Sequence, residues 1–140
     1  MKNPRVVIDS NVIYSGLLSQ KGSSFKLLKL IPDNAFTVAV SVPLILEYES
    51  VLVKNPGKLN LNKKDINDFL DYICAVAEDT RIFYLWRPLL KDPYDDHILE
   101  VAVSSNSKYI ITYNIKDFVE ARSFGIKVIS PDVFLTEILK

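Results

Sequence analysis

One hundred and forty residues, 49% of them hydrophobic, suit one compact domain around a single core and give no reason to expect a second. Seventeen acids balance seventeen bases, so the chain as a whole does not advertise a polyanion partner, and any nucleic-acid site has to be a local patch. The single Cys74 excludes an internal disulfide, no charged-then-apolar leader opens the chain, and no apolar run approaches the roughly twenty residues of a membrane span, which together predict a reducing, cytoplasmic setting away from membranes.

Taken in order, the chain starts its structure at Arg5 to Asn11, Arg-Val-Val-Ile-Asp-Ser-Asn. Three β-branched residues before a polar break predict a short strand buried on both faces, as in the middle of a parallel sheet. Asp9 ends that strand. Ligands of open α/β sheets bind at the carboxyl ends of strands, so a carboxylate there is a functional candidate; the alternative is that Asp9 or Ser10 only caps the next helix. Val12 to Leu18 reads as helix, and Ser23-Ser24 opens another that runs through Phe25, Leu27, Leu28 and Ile31 until Pro32 and Asp33 stop it. Phe36 to Val40 is the second strand. Ser41 is placed to cap a helix with Pro43 in its first turn and Leu44, Ile45, Tyr48, Val51 and Leu52 on its apolar face.

Asn55 to Lys64 reads as a basic loop, Asp65 to Ala77 as a helix with Ile66, Phe69, Leu70, Ile73 and Val76 at helical spacing, and Arg81 to Trp86 as a third strand. Cys74, in the apolar run Tyr72 to Val76, is expected in the core. A helix is predicted from about Pro93 to Ser104, a strand over Lys108 to Thr112, a short helix over Lys116 to Arg122, a last strand over Ile126 to Ile129, and a closing helix after Ser130-Pro131. Strands alternating with helices of this length imply right-handed crossovers and a three-layer α/β/α sandwich around a mostly parallel sheet. Four glycines and no Gly-rich loop exclude a P-loop or dinucleotide fingerprint.

Against that layout the acids fall at related places. Asp9 ends the first strand, Glu47 lies in the helix after the second, Asp92, Asp95 and Asp96 surround the start of the next-to-last long helix, and Asn114 and Asp117 follow the fourth strand. In a doubly wound sheet these loci converge on one edge. Carboxylates forced together repel unless some take up protons or a cation binds. Oxygen ligands without a Cys or His cluster point to Mg2+ or Mn2+ rather than zinc. Helical periodicity puts Asp95 among Ile98, Leu99 and Ala102 on the buried face and turns Asp96 to one side. The competing structural role is a capping box, Asp92 as N-cap and Asp95 three residues on. Periodicity does not choose between Glu47 and Glu49, although Glu47 is nearer the strand end. His97 reads as a surface group rather than a general base. Trp86, Tyr94 and Tyr113 are candidates for base stacking, with core packing as the alternative.

These landmarks carry a resemblance. Val-Ile-Asp-Ser-Asn at the start, Ser41 through Glu47 to Val51-Leu52, Asp92-Pro93-Tyr94-Asp95-Asp96 running into Ile98 to Ala102, and Ile111-Thr112-Tyr113-Asn114 with Asp117-Phe118 follow one another at the expected gaps. Over essentially its whole length the chain resembles a PIN domain, the PilT N-terminus nuclease family. Within it, the chain is most similar to the stand-alone VapC-like toxin components of bacterial toxin–antitoxin pairs. The resemblance implies that Asp9, Glu47 and Asp95 are metal carboxylates, that Ser10, Asn11 and Thr112 support them, and that Asp92 matches an acid often seen just before the third. The fourth acidic position falls on Asn114, which implies a weaker second metal site, with Asp117 or Asp96 as possible substitutes. The implied activity is Mg2+-dependent hydrolysis of RNA phosphodiesters, with a cognate antitoxin as partner and a homodimer by family habit. Lys54, Lys58, Lys63, Lys64, Arg87 and Lys91 are the candidate phosphate-attracting cations. Two competitors stand against it: a PIN scaffold of low or no activity that binds RNA or a protein, and a phospho-acceptor receiver-type domain. The second expects paired acids after the first strand and a lysine after the last, where this chain has Ser10-Asn11 and Ser130-Pro131.

Overall fold

The computed structural model describes residues 3–54, 56–80 and 95–139, the side chains at 56 and 57 excepted. The strands are β1 (Arg5–Ile8), β2 (Thr37–Val40), β3 (Glu78–Asp79), β4 (Tyr109–Ile111) and β5 (Lys127–Ile129). The helices are α1 (Ser10–Leu18), α2 (Ser23–Lys29), α3 (Val42–Lys54), α4 (Pro56–Leu59), α5 (Lys63–Val76), α6 (Asp96–Ser104) and α7 (Pro131–Val133), with π-helical turns continuing over Phe134–Ile138. Every described pairing is parallel and the order is β3-β2-β1-β4-β5. The predicted α/β/α architecture is therefore the observed one, with β1 central.

Centrality explains the composition of β1. Val6, Val7 and Ile8 are completely buried because helices cover both sides, and Ile110 and Ile111 beside them in β4 are buried for the same reason. Chain order reverses between β1 and β4, since β1 leads to β2 on one side while β4 leads to β5 on the other. At such a reversal the loops leaving adjacent strands turn apart and open a crevice at their carboxyl ends. Asp9 and Thr112 are the first residues beyond those two strands.

Local chemistry accounts for the helix starts. Ser41 caps α3 as expected, accepting the Leu44 N–H on its hydroxyl oxygen at 3.2 Å. Asn62 and Asp65 form a reciprocal capping box at α5, so that helix begins at Lys63, two residues ahead of the expectation. The stretch read as loop from Asn55 to Lys64 thus holds the one-turn α4 and the start of α5.

Two other expectations are corrected, and a third falls outside the described residues. Cys74 is exposed, because Ile66, Leu70 and Ile73 supply the buried stripe of α5 and residue 74 stands a further hundred degrees round. The strand expected over Arg81 to Trp86 lies outside the described residues, whereas β3 is the polar, exposed Glu78–Asp79, which pairs with Ala39 and Val40 and has no apolar pattern to announce it. The segment Ile115–Phe124, expected to be a short helix, is a run of 3-10 turns kinked at Phe118 and closed by Gly125, whose φ of 75° suits a residue without Cβ.

Candidate active site

Asp9 continues β1. Its N–H donates to the Ile111 carbonyl at 2.9 Å, so the backbone is fixed by the sheet. It occupies the N-cap position of α1, but its side chain makes no cap hydrogen bond, so capping is not what this carboxylate does. The carboxylate, 5% exposed, instead receives the Thr112 hydroxyl on Oδ2 at 2.7 Å, with the Ser10 hydroxyl 3.5 Å from Oδ1.

Thr112 is constrained in turn. Its Oγ1 accepts the Asn114 N–H at 3.0 Å and the Asn11 side-chain amide at 3.4 Å. A hydroxyl has one hydrogen and two lone pairs. With both lone pairs engaged, the hydrogen goes to Asp9, and this carboxylate oxygen is held by a donor that cannot turn away. Thr112→Val keeps the shape and removes that donor, leaving a buried carboxylate and two N–H groups short of a partner. It should lower stability by about 1–3 kcal/mol in urea denaturation, with Thr112→Ser recovering most of the loss.

The second wall is α3. Tyr48, fully buried, donates its hydroxyl hydrogen to the Ile8 carbonyl immediately before Asp9 and so fixes α3 against the end of β1. Glu47, its neighbour in sequence, is half-buried, while Glu49 is exposed. Of the two, Glu47 is the acid whose charge reaches Asp9. Glu47 Oε1 lies 2.9 Å from His97 Nε2, and the two side chains are 25% and 18% exposed. His97 is therefore not the surface group the sequence suggested.

The charges couple. Burial pushes the Asp9 carboxyl above its ordinary value and outweighs the opposing hydrogen bond from Thr112, while the nearby Glu47 charge pushes the same way. Burial also acts upward on Glu47, but the hydrogen bond and charge of His97, helped by the Ser10 hydroxyl, bring that carboxyl below its ordinary value. Tyr48, buried and facing the charges of Asp9 and Glu47, is held well above the ordinary tyrosine value and remains a donor.

The remaining acids take different places. Asp95 is the N-cap residue of α6, partly buried and making no side-chain cap bond, and Asp92 lies outside the described residues with Trp86, Arg87, Lys91 and Tyr94. Asp96, expected to point aside, is 1% exposed. From Ile98 to Ala102 every residue of α6 is buried, Glu100 included, so a helix enclosed nearly all round does not obey the one-face rule used to rank Asp95 over Asp96. Asn114 contributes its backbone N–H to Thr112 while its side chain is exposed, and Asp117 is half-buried in the turn that follows. Tyr113, also exposed, shares a hydrogen bond between its hydroxyl and that of Ser24.

Among the described residues, no three His, Cys, Asp or Glu side chains stand together as a ready-made metal cage. The pair Asp9 and Glu47 nevertheless fits a hard divalent cation. It offers oxygens only, and a cation would relieve both the burial of Asp9 and its repulsion by Glu47. Mg2+ characteristically takes one or two carboxylates and keeps several waters.

A family model described as PIN domain matches residues 5–116. No curated protein matches the chain. Among solved structures, a chain of the crystal structure of VapBC2 from Rickettsia felis bound to a DNA fragment from their promoter is similar, with 20% sequence identity and a TM-score of 0.59 over 89% of this chain and 98% of that one.

Proposed function

The chain belongs to the PIN-domain family, and from that membership we propose that it is a metal-dependent endoribonuclease, the toxin of a toxin–antitoxin pair. The observation that carries this reading is the Asp9 carboxylate, kept buried at the chain-order reversal beside a second acid although it serves no cap. Asp9 and Glu47 would hold Mg2+ or Mn2+, with Asp95 as the third carboxylate by family likeness and Asp92, Asp96 and Asp117 as outer acids. Held there, a divalent cation would lower the pKa of a water and offset charge on the departing 3′ oxygen.

The chain's own groups do the rest. Thr112, saturated by Asn11 and the Asn114 N–H, keeps Asp9 turned into the crevice. Tyr48 sets the distance between α3 and β1. Lys54 is exposed on α3, seven residues beyond Glu47 and so about 10 Å along the helix, where it would draw substrate phosphates toward an acidic site. Lys58, Lys63 and Lys64 are exposed on the elements that follow. An antitoxin partner is proposed because the similar chain comes from VapBC2, and a homodimer is proposed from the family resemblance alone. No described helix is long and apolar enough to cross a membrane.

Asn114 favours a second reading, a PIN scaffold of low activity that binds RNA or protein, since its exposed amide stands where a fourth acid would be. Incubation of the purified protein with single-stranded and structured RNAs decides between them. Cleavage that requires Mg2+ or Mn2+ and stops in EDTA is the expected result. Binding without cleavage in either metal supports the scaffold, and cleavage indifferent to EDTA refutes the metal site.

A further inference from the structure

We infer that His97 is a positioning residue whose bond to Glu47 keeps that carboxylate facing Asp9. The inference deepens the proposed function and rests on it, because the pair is useful only if the two acids share a cation.

Glu47 has three side-chain torsions and is half-buried beside a like charge. Left to itself it would rotate toward water, where repulsion is screened and solvation is greater. What stands against that rotation, beside the Ser10 hydroxyl, is the ring of His97, reaching across from α6 with Nε2 at 2.9 Å from Oε1. A carboxylate accepts only, so Nε2 carries the hydrogen. The other ring nitrogen, Nδ1, is buried with no hydrogen-bond partner among the described residues. A histidine that relays protons needs a second partner to receive them. This one holds a single bond, from a helix buried nearly all round, and its position is therefore set by packing rather than by a second polar contact. The arrangement ties α6 to α3 across the mouth of β1 and leaves Oε2 of Glu47 unclaimed by His97. Groups that orient metal-ligating side chains in this way are worth about 10- to 100-fold in metal affinity.

The test measures Mn2+ binding to the whole protein by titration calorimetry, independently of cleavage. His97→Ala should weaken Mn2+ binding about 10- to 100-fold. His97→Gln, whose amide N–H can reach Glu47 from the place of Nε2, should recover most of it, and His97→Asn, one carbon shorter, should not. In a Glu47→Ala background, His97→Ala should add nothing further. Should His97→Ala fail to fold by circular dichroism, the Gln and Asn variants carry the comparison alone. Binding by His97→Ala as tight as wild type, while Asp9→Asn binds none, overturns the inference and leaves the proposed function standing. Tighter binding overturns it too, since His97 would then compete with the cation. No Mn2+ binding by the wild type removes the proposed metal site and this inference with it.

Discussion

Asp9→Asn should give a protein that no longer cleaves RNA yet, without metal, is at least as stable as the native chain at neutral pH. The loss of activity should be at least about 100-fold, the upper end of what even an outer partner of a metal ligand is worth. The stability follows from the direction of the ionisation. In the unfolded chain Asp9 releases its proton near the ordinary aspartate value of 3.8, whereas in the fold burial and Glu47 hold the proton to higher pH. Between those two points the folded state binds more protons, so stability falls as pH rises. The contribution of Asp9 is thus complete below 3.8 and lost as pH rises through the raised folded value. Asparagine keeps an acceptor for Thr112 and does not ionise, so it escapes that loss. Glu47, displaced downward, works the other way, its contribution being present above its ordinary value and lost as pH falls through the folded one. Urea denaturation of both proteins at pH 4 and pH 7, with and without Mg2+, checks each part. The difference should move in favour of the variant as pH rises, and Mg2+ should stabilise only the native chain. A variant clearly less stable at pH 7 without metal would show that Asp9 is a structural residue.

Tyr48→Ala should cost about 3–5 kcal/mol of folding stability, as other buried aromatic truncations do. The side chain is entirely enclosed, and its removal opens a cavity at the contact between α3 and the end of β1. It also strips the Ile8 carbonyl of its donor. Tyr48→Phe separates the two effects: the ring stays, and about 1–3 kcal/mol should be lost for the unsatisfied carbonyl. Because this hydroxyl sets where Glu47 stands, the Phe variant should lose cleavage activity out of proportion to its stability. It should also gain in one condition. The raised Tyr48 ionisation means that the native fold loses stability as pH climbs past the ordinary tyrosine value of 10, when the unfolded chain ionises first, and phenylalanine removes that fall. Equal alkaline sensitivity in the two proteins would contradict the burial assigned to this hydroxyl.

Much of this architecture was legible in advance because parallel strands buried on both faces are continuous apolar runs. Val6 to Ile8, Val38 to Val40 and Tyr109 to Ile111 each read as strands from composition alone. The cap at Ser41 was equally local, whereas α2 ends at Lys29, before the expected Ile31, and Ile31–Asp33 form a 3-10 turn. What local patterns could not carry was identity of face. Periodicity ranks Asp95 over Asp96 on α6 only by assuming one wet side, and α6 has almost none. Glu47 could not be told from Glu49 until α3 was docked. His97 was passed over because a lone histidine near acids has a polar surrounding in sequence whether or not it is enclosed in space. One cue was available: His97 lies between Asp96 and Ile98, in a helix whose apolar residues run unbroken from Ile98 to Leu99 and from Val101 to Val103. Tyr48 looked like core and is core, and its second role depends on one carbonyl that no sequence pattern marks.

The bond between Thr112 and Asp9 spans 103 positions of the chain. During synthesis the first carboxylate therefore leaves the ribosome long before the hydroxyl that holds it, and β1 has no β4 to lie against until Tyr109 to Ile111 have been made. On the proposed activity, the site is therefore completed only when a segment 103 positions after Asp9 returns to it, and a nascent chain that stops short of Thr112 holds Asp9 without its donor.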